Sequence, residues 1–153
     1  DLDEKYIELL SYALESKDLY GRICGVDKGM NALDNRWYLV FEELGKIYDV
    51  NSHSRQERIS QLTETLDQSD LLNQIDEIKL NLPNAEQVIS DLINVLTRQR
   101  LEKRSKTLLE TIDQLDRKDA LSMEDEIRLK ESLEELSEIS LRLRETNRGG
   151  TRE

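Results

Sequence analysis

Along most of the chain, apolar residues recur at intervals of three and four, the spacing of amphipathic helices. Over 4–14, Tyr6, Leu9, Leu10 and Ala13 form one such stripe. Ser16-Lys17-Asp18 breaks it. Gly21, Gly25 and Gly29 then leave room over 18–32 for a short helix near 19–23, because glycine in a stretch punctuated by Asp and Lys marks turns. Asn31 or Asp34 is the expected N-cap of the next helix, about 34–48, whose inward stripe is Trp37, Val40, Phe41, Leu44 and Tyr48. As the most aromatic element, it is expected at the centre of the core. Asn51-Ser52-His53-Ser54 reads as a turn, and Ser54 with Glu57 makes a capping box for a helix ending near Leu66. A weaker helix covers about 69–80 before Asn81-Leu82-Pro83-Asn84 stops it.

Beyond Pro83 the pattern changes. Asn84 caps, and no breaker follows until about Asp116, which predicts a helix over 84–116 of roughly 50 Å at about 1.5 Å per residue. Its first part (Val88, Ile89, Leu92, Val95, Leu96) has a broad apolar face suited to a globular core. Its second part (Leu101, Leu108, Ile112, Leu115) has a narrow seam near heptad spacing, suited to one partner helix. Residues 116–121 read as a turn. Ser122 with Asp125 caps a final helix to about Arg144, with Leu129, Leu133, Leu136 and Leu143 as its seam. Residues 149–153 are expected to be a disordered tail, with fraying from Asn147. The expected fold is all-α: a small helical globular bundle over 1–96, then a long helix leading into a C-terminal antiparallel two-helix hairpin over 97–148 that shares it.

Composition agrees with this class. Of 153 residues, 37% are hydrophobic and 36% charged, a mixture typical of helical bundles and coiled coils. A net charge of -11 argues against wrapping nucleic acid, which needs a basic footprint, and fits a protein that binds another protein. No apolar run approaches the ~18–20 residues of a membrane span, and no signal peptide is visible. The chain opens on Asp1 rather than methionine, so it reads as a fragment of a longer protein. The lone Cys24 suits a reducing cytoplasm and reads as simple packing.

One segment runs against the overall charge. "RQRLEKRSK", residues 98–106, holds Arg98, Arg100, Lys103, Arg104 and Lys106 against the single acid Glu102. A nucleic-acid contact, a partner contact and an internal charge pairing all fit such a run. In an antiparallel hairpin turning near 119–120, Glu138 faces Leu101, Glu135 faces Arg104 and Glu134 faces Ser105. Internal complementarity is therefore the favoured reading, and exposed pairs of this kind set register more than they stabilise.

Motifs for catalysis are not recognisable. Gly21, Gly25 and Gly29 lack the strand–turn–helix context and the GK[ST] ending of a phosphate-binding loop. One Cys and one His cannot supply the usual zinc ligands, so no metal site is expected. His53, in a polar turn, has no nucleophile at a recognisable spacing, and no carboxylate pair is singled out for acid–base work. The chain is read as a non-enzymatic segment without a cofactor.

Glu4-Lys5-Tyr6-Ile7-Glu8-Leu9-Leu10, Arg36-Trp37-Tyr38-Leu39-Val40-Phe41, and Asn84 to Leu96 followed by a hairpin resemble the C-terminal helicase-binding domain of bacterial DNA primase. The resemblance covers nearly the whole chain, by order of elements and apolar pattern rather than by an invariant motif; a histidine is frequent in the family where Arg36 stands. It implies a globular subdomain that stimulates the hexameric replicative helicase and a hairpin that docks on that helicase's N-terminal collar. By the same resemblance the parent protein is a primase of the bacterial cytoplasm, its zinc-binding and catalytic domains precede Asp1, and Glu153 is its natural end. The N-terminal domain of the helicase itself has a related globule-plus-hairpin form and is the nearest competitor, although it usually carries a glycine where this chain reads Ser11-Tyr12-Ala13. A coiled-coil adaptor unrelated to replication is a third reading.

The final helix carries the expected anchor. Leu141 and Leu143 stand about 200° apart around a helix, so one partner helix cannot cover both. Ile127 and Ile139 lie off the Leu129–Leu133–Leu136 seam. Ile127, Ile139 and Leu141 are the candidate apolar contacts, with Arg128, Arg142 and Arg144 at the polar rim.

Overall fold

The structure, a computed structural model, describes residues 2–26, 35–50 and 54–150, with side chains over 4–25, 37–50 and 54–145. Seven α-helices fill these stretches: α1 (Leu2–Glu15), α2 (Lys17–Val26), α3 (Asn35–Val50), α4 (Arg55–Thr65), α5 (Ser69–Glu77), α6 (Ala85–Asp116) and α7 (Met123–Gly150). A short 3-10 turn, Leu82–Asn84, precedes α6. The described residues are thus all-α. They belong to two compact units, Asp1–Leu96 and Thr97–Glu153. The expected caps at Asn31 or Asp34, the turn residues Asn51 to His53, and Gly29 lie outside the described residues.

In the first unit, α1 packs against α2, α3, α4 and α5. It is the hub, a place expected for the aromatic helix α3. The reason is local: from Leu9 to Leu14 every residue of α1 is buried, Ser11 included. A helix apolar on one stripe lies on a core, whereas one covered all round lies inside it. The expected α3 stripe (Trp37, Val40, Phe41, Leu44, Tyr48) is buried throughout and faces this hub, with Trp37 stacked on Tyr6 at 5.3 Å between ring centroids.

The glycine-rich stretch folds differently from its sequence reading. α2 runs the full ten residues Lys17–Val26 rather than a turn or so near 19–23. Ser16, expected to be a breaker, is its cap: the Leu19 N–H donates to Ser16 Oγ at 3.2 Å and the Tyr20 N–H to Ser16 O at 3.0 Å. Burial of Ile23 and the stacking of Tyr20 on Phe41, ring centroids 4.4 Å apart, offset the helix cost of Gly21 and Gly25. At Gly45 of α3 the Tyr20 hydroxyl occupies the space a Cβ would need, so a larger residue there would displace the Tyr20 ring from its place on Phe41.

Two arginines and a tyrosine close the C-terminal end of α1. The Tyr48 hydroxyl donates to the carbonyls of Ala13 (2.6 Å) and Leu14 (3.1 Å). Buried Arg58 donates from Nε to Leu14 O at 2.9 Å and from Nη2 to Glu15 O at 2.8 Å, its guanidinium 5.1 Å from the Tyr48 ring centroid. Arg55 joins Glu15 (2.7 Å), Asp76 (3.2 Å) and Ser11 Oγ (3.2 Å). The last carbonyls of a helix have no partner within it, and these side chains supply one. The capping box at Ser54 forms, with the Glu57 N–H donating to Ser54 Oγ at 3.2 Å. α5 ends at Glu77, short of the expected Leu80, with Leu71, Leu72 and Ile75 buried.

The second unit has a smaller apolar cluster: Leu101 and Leu108 of α6 with Ile139 of α7, flanked by Leu136 and Leu143. Arg104 donates two hydrogen bonds to Glu135, at 2.9 and 3.1 Å, matching the expected pairing of these positions. α7 continues to Gly150, past the expected end near Arg144 and into the stretch expected to fray, because each added residue of a running helix gains a backbone bond; the rest of the expected tail, 151–153, lies outside the described residues.

Candidate functional site

The N-terminus of α7 is fixed by a reciprocal box. The Asp125 N–H donates to Ser122 Oγ at 3.0 Å, and the Ser122 N–H donates to Asp125 Oδ2 at 3.2 Å. Lys118 Nζ reaches both carboxylate oxygens of Asp125, at 3.2 and 3.0 Å. Lys118 first, and then the Ser122 backbone, hold the Asp125 carboxyl below the usual carboxylate range.

From this start, the seam of α7 decides which residues face out. Its covered positions are Asp125, Leu129, Ser132, Glu135, Leu136, Ile139 and Leu143; apart from Glu135, which pairs with Arg104, they are separated alternately by four and three residues. On α6 the matching positions are Leu101, Ser105, Leu108, Ile112 and Leu115. Both series are heptad a/d patterns. The α6 series contains every seam residue expected there, and the α7 series departs from expectation at Ser132 and at Ile139. Ser132 is buried where Leu133 was expected, and Leu133 is 49% exposed.

These departures reorder the candidate contacts. Ile139 is only 5% exposed and packs in the cluster with Leu101 and Leu108, so it is a seam residue and not an outward anchor. Ile127 and Leu141, at 52% and 56% exposed, do face outward. Arg128, Arg142 and Arg144 are exposed beside them. Two heptads separate Ile127 from Leu141, roughly 20 Å along the axis at about 1.5 Å per residue. Glu134 stands midway on the same face, so these two side chains do not make one continuous apolar patch. Leu133, Leu109 (54% exposed) and Met123 (78% exposed) were missed as outward apolar residues. The signal was present: Leu109 follows Leu108 directly, and adjacent leucines cannot both enter a narrow seam.

The basic run over 98–106 is partly absorbed by this pairing. Arg104 is bound to Glu135, which pushes its guanidinium further up in pKa, while Lys103 and Lys106 are exposed. In the first unit a groove of about 610 Å³ is lined by Asp18, Leu19, Gly21, Arg22, Gly25 and Glu86, and an Arg22–Glu86 ion pair belongs to it. Among the described residues no group of three or more His, Cys, Asp or Glu is placed to hold a metal ion, and no helix is long and apolar enough to cross a membrane.

No family model, curated protein or solved structure matches this chain.

Proposed function

We propose that this chain is the helicase-binding domain of a bacterial primase. In this reading it docks on the N-terminal collar of the hexameric replicative helicase, couples primer synthesis to the cytoplasmic replication fork and makes no primers itself. It needs no cofactor and contacts nucleic acid little. The observation that carries the reading is the outward placing of large aliphatic side chains, Ile127 and Leu141 with Leu133, on a helix whose exposed surface is mostly charged. The order of elements, from the Glu4–Leu10 helix through Trp37–Phe41 to the long helix after Pro83, adds the resemblance to that domain.

The second unit is best understood as an antiparallel two-helix hairpin. Arg104 precedes Ser105 of the α6 seam as Glu135 precedes Leu136 of the α7 seam, and equivalent flanking positions pair in this way between antiparallel helices. Leu109 and Leu133 then share the opposite flank and extend the apolar surface available to the helicase.

The whole chain should co-sediment with the cognate helicase at micromolar concentration. Replacing Ile127 and Leu141 together by glutamate should weaken that binding by about tenfold or more, as loss of an interface anchor does. No co-migration of the unaltered chain would sink the proposal. The regular heptad seam favours a second reading, a coiled-coil adaptor outside replication, which predicts no affinity for the helicase at all.

A further inference from the structure

α7 carries two nearly equivalent seams. Leu129, Leu136 and Leu143, spaced by seven, belong to both. The observed packing completes them with Asp125, Ser132 and Ile139, the last two being 6% and 5% exposed. The other seam would use the next residue in each case, Glu126, Leu133 and Ser140, all exposed here. Each set holds one carboxylate, one serine and one branched aliphatic side chain. Leucine and isoleucine gain similarly from burial, so the hydrophobic term hardly separates the two seams. α6 has no such ambiguity. Moving its seam from Leu101, Leu108 and Leu115 by one residue would bring in Glu102, Leu109 and Asp116, which exchanges two leucines for carboxylates.

In a 3.5-residue repeat the centres of the two α7 seams lie roughly 50° apart around the helix. We infer that α7 has a second packing state, reached by turning roughly 50° about its own axis on a fixed α6, in which Leu133 and Ser140 replace Ser132 and Ile139 in the interface.

Polar contacts select between the states. Glu135, bound to Arg104, lies on the flank that the observed seam turns towards α6, and the alternative seam turns it away. Asp125, bound to Lys118, leaves the seam in the same motion. The Arg104–Glu135 pair is half-exposed and the Lys118–Asp125 pair is open on its lysine side, so both contribute little individually and are screened by salt. A small gap between two packings of one sequence is what a switching element requires. The states also differ in what they show: Leu133 is outward in one and Ile139 in the other. A partner that grips Ile139 would select the turned state through its differential affinity. The inference does not depend on whether that partner is a helicase.

Hydroxyl-radical footprinting read by mass spectrometry tests this without altering either probe residue. In the unaltered chain at low salt, Leu133 should be oxidised faster than Ile139. In an Arg104→Glu/Ser140→Leu variant the order should reverse, with circular dichroism showing helicity retained. A folded variant in which Leu133 still reacts faster overturns the inference. If that variant does not fold, the unaltered chain decides: its Leu133-to-Ile139 ratio should fall as salt rises to about 1 M, where the screening length is ~3 Å. A ratio that salt does not move overturns the inference equally.

Discussion

Arg58 lies one turn before Leu62 on the face of α4 that enters the core, and it is 6% exposed. Its charge is tolerated because the guanidinium donates to two carbonyls that α1 leaves unpaired and rests over the Tyr48 ring. Arg58→Ala should therefore destabilise the chain by about 2 kcal/mol, because it takes the side-chain donor from the Glu15 carbonyl, leaves the Leu14 carbonyl with the Tyr48 hydroxyl alone and strips the cation from the Tyr48 ring; urea unfolding measures the change. A destabilisation below about 1 kcal/mol would show that water replaces the guanidinium at no cost. Tyr48 gives a pH signature of the same network. Burial pushes its hydroxyl up to about 12, although Arg58 and Arg55 pull the other way. An unfolded tyrosine titrates near ~10. A proton held more tightly in the folded chain contributes stability that is complete below that value. The contribution is lost as pH rises through the folded one. The melting temperature should thus fall between pH ~10 and about 12, in step with tyrosinate absorbance. Neither residue announces this role in the sequence: an arginine four residues before a leucine reads as a solvated position until the end of another helix is placed against it.

At the scale of elements, local signals were reliable where the stabilising partner is a neighbour in the chain. The Ser54 and Ser122 boxes form as their spacing dictates, and the stop at Pro83 is where the long helix begins. α2 and α7 show the other case. Propensity argued for a short α2, but the apolar packing of Ile23 and Tyr20 extends it to Val26. On α7 the choice between Ser132 and Leu133 could not be read, since both complete a heptad and the decision rests on where α6 and its Arg104 lie. A double-mutant cycle on Arg104 and Glu135 should give a coupling of about 0.2–1 kcal/mol that shrinks at high salt. Half-exposed partners set the expected size. A coupling of zero at low salt would remove the pair from any part in setting register.

Across the whole molecule, the larger apolar cluster runs from Tyr6 to Leu96 and lies wholly within the first unit. A fragment of residues 1–96 should then melt cooperatively and keep the near-ultraviolet signal of Trp37, which is stacked on Tyr6 inside that cluster. A fragment with helical far-ultraviolet signal but no near-ultraviolet signal would show that the core needs the second unit. The helical class, the break at Pro83, the aromatic stripe of α3 and the change of apolar face along α6 were legible in the chain, because each follows from spacing and from residues close in sequence. That α1 is the hub, that Arg58 and Tyr48 close its end, and that Ile139 turns inward while Leu133 stays out came from the packing of helices on one another. These outcomes depend on which side of a helix meets another helix. Burial energy is nearly blind to that choice when two faces carry equal apolar content, and the few directional bonds that settle it join residues far apart in sequence.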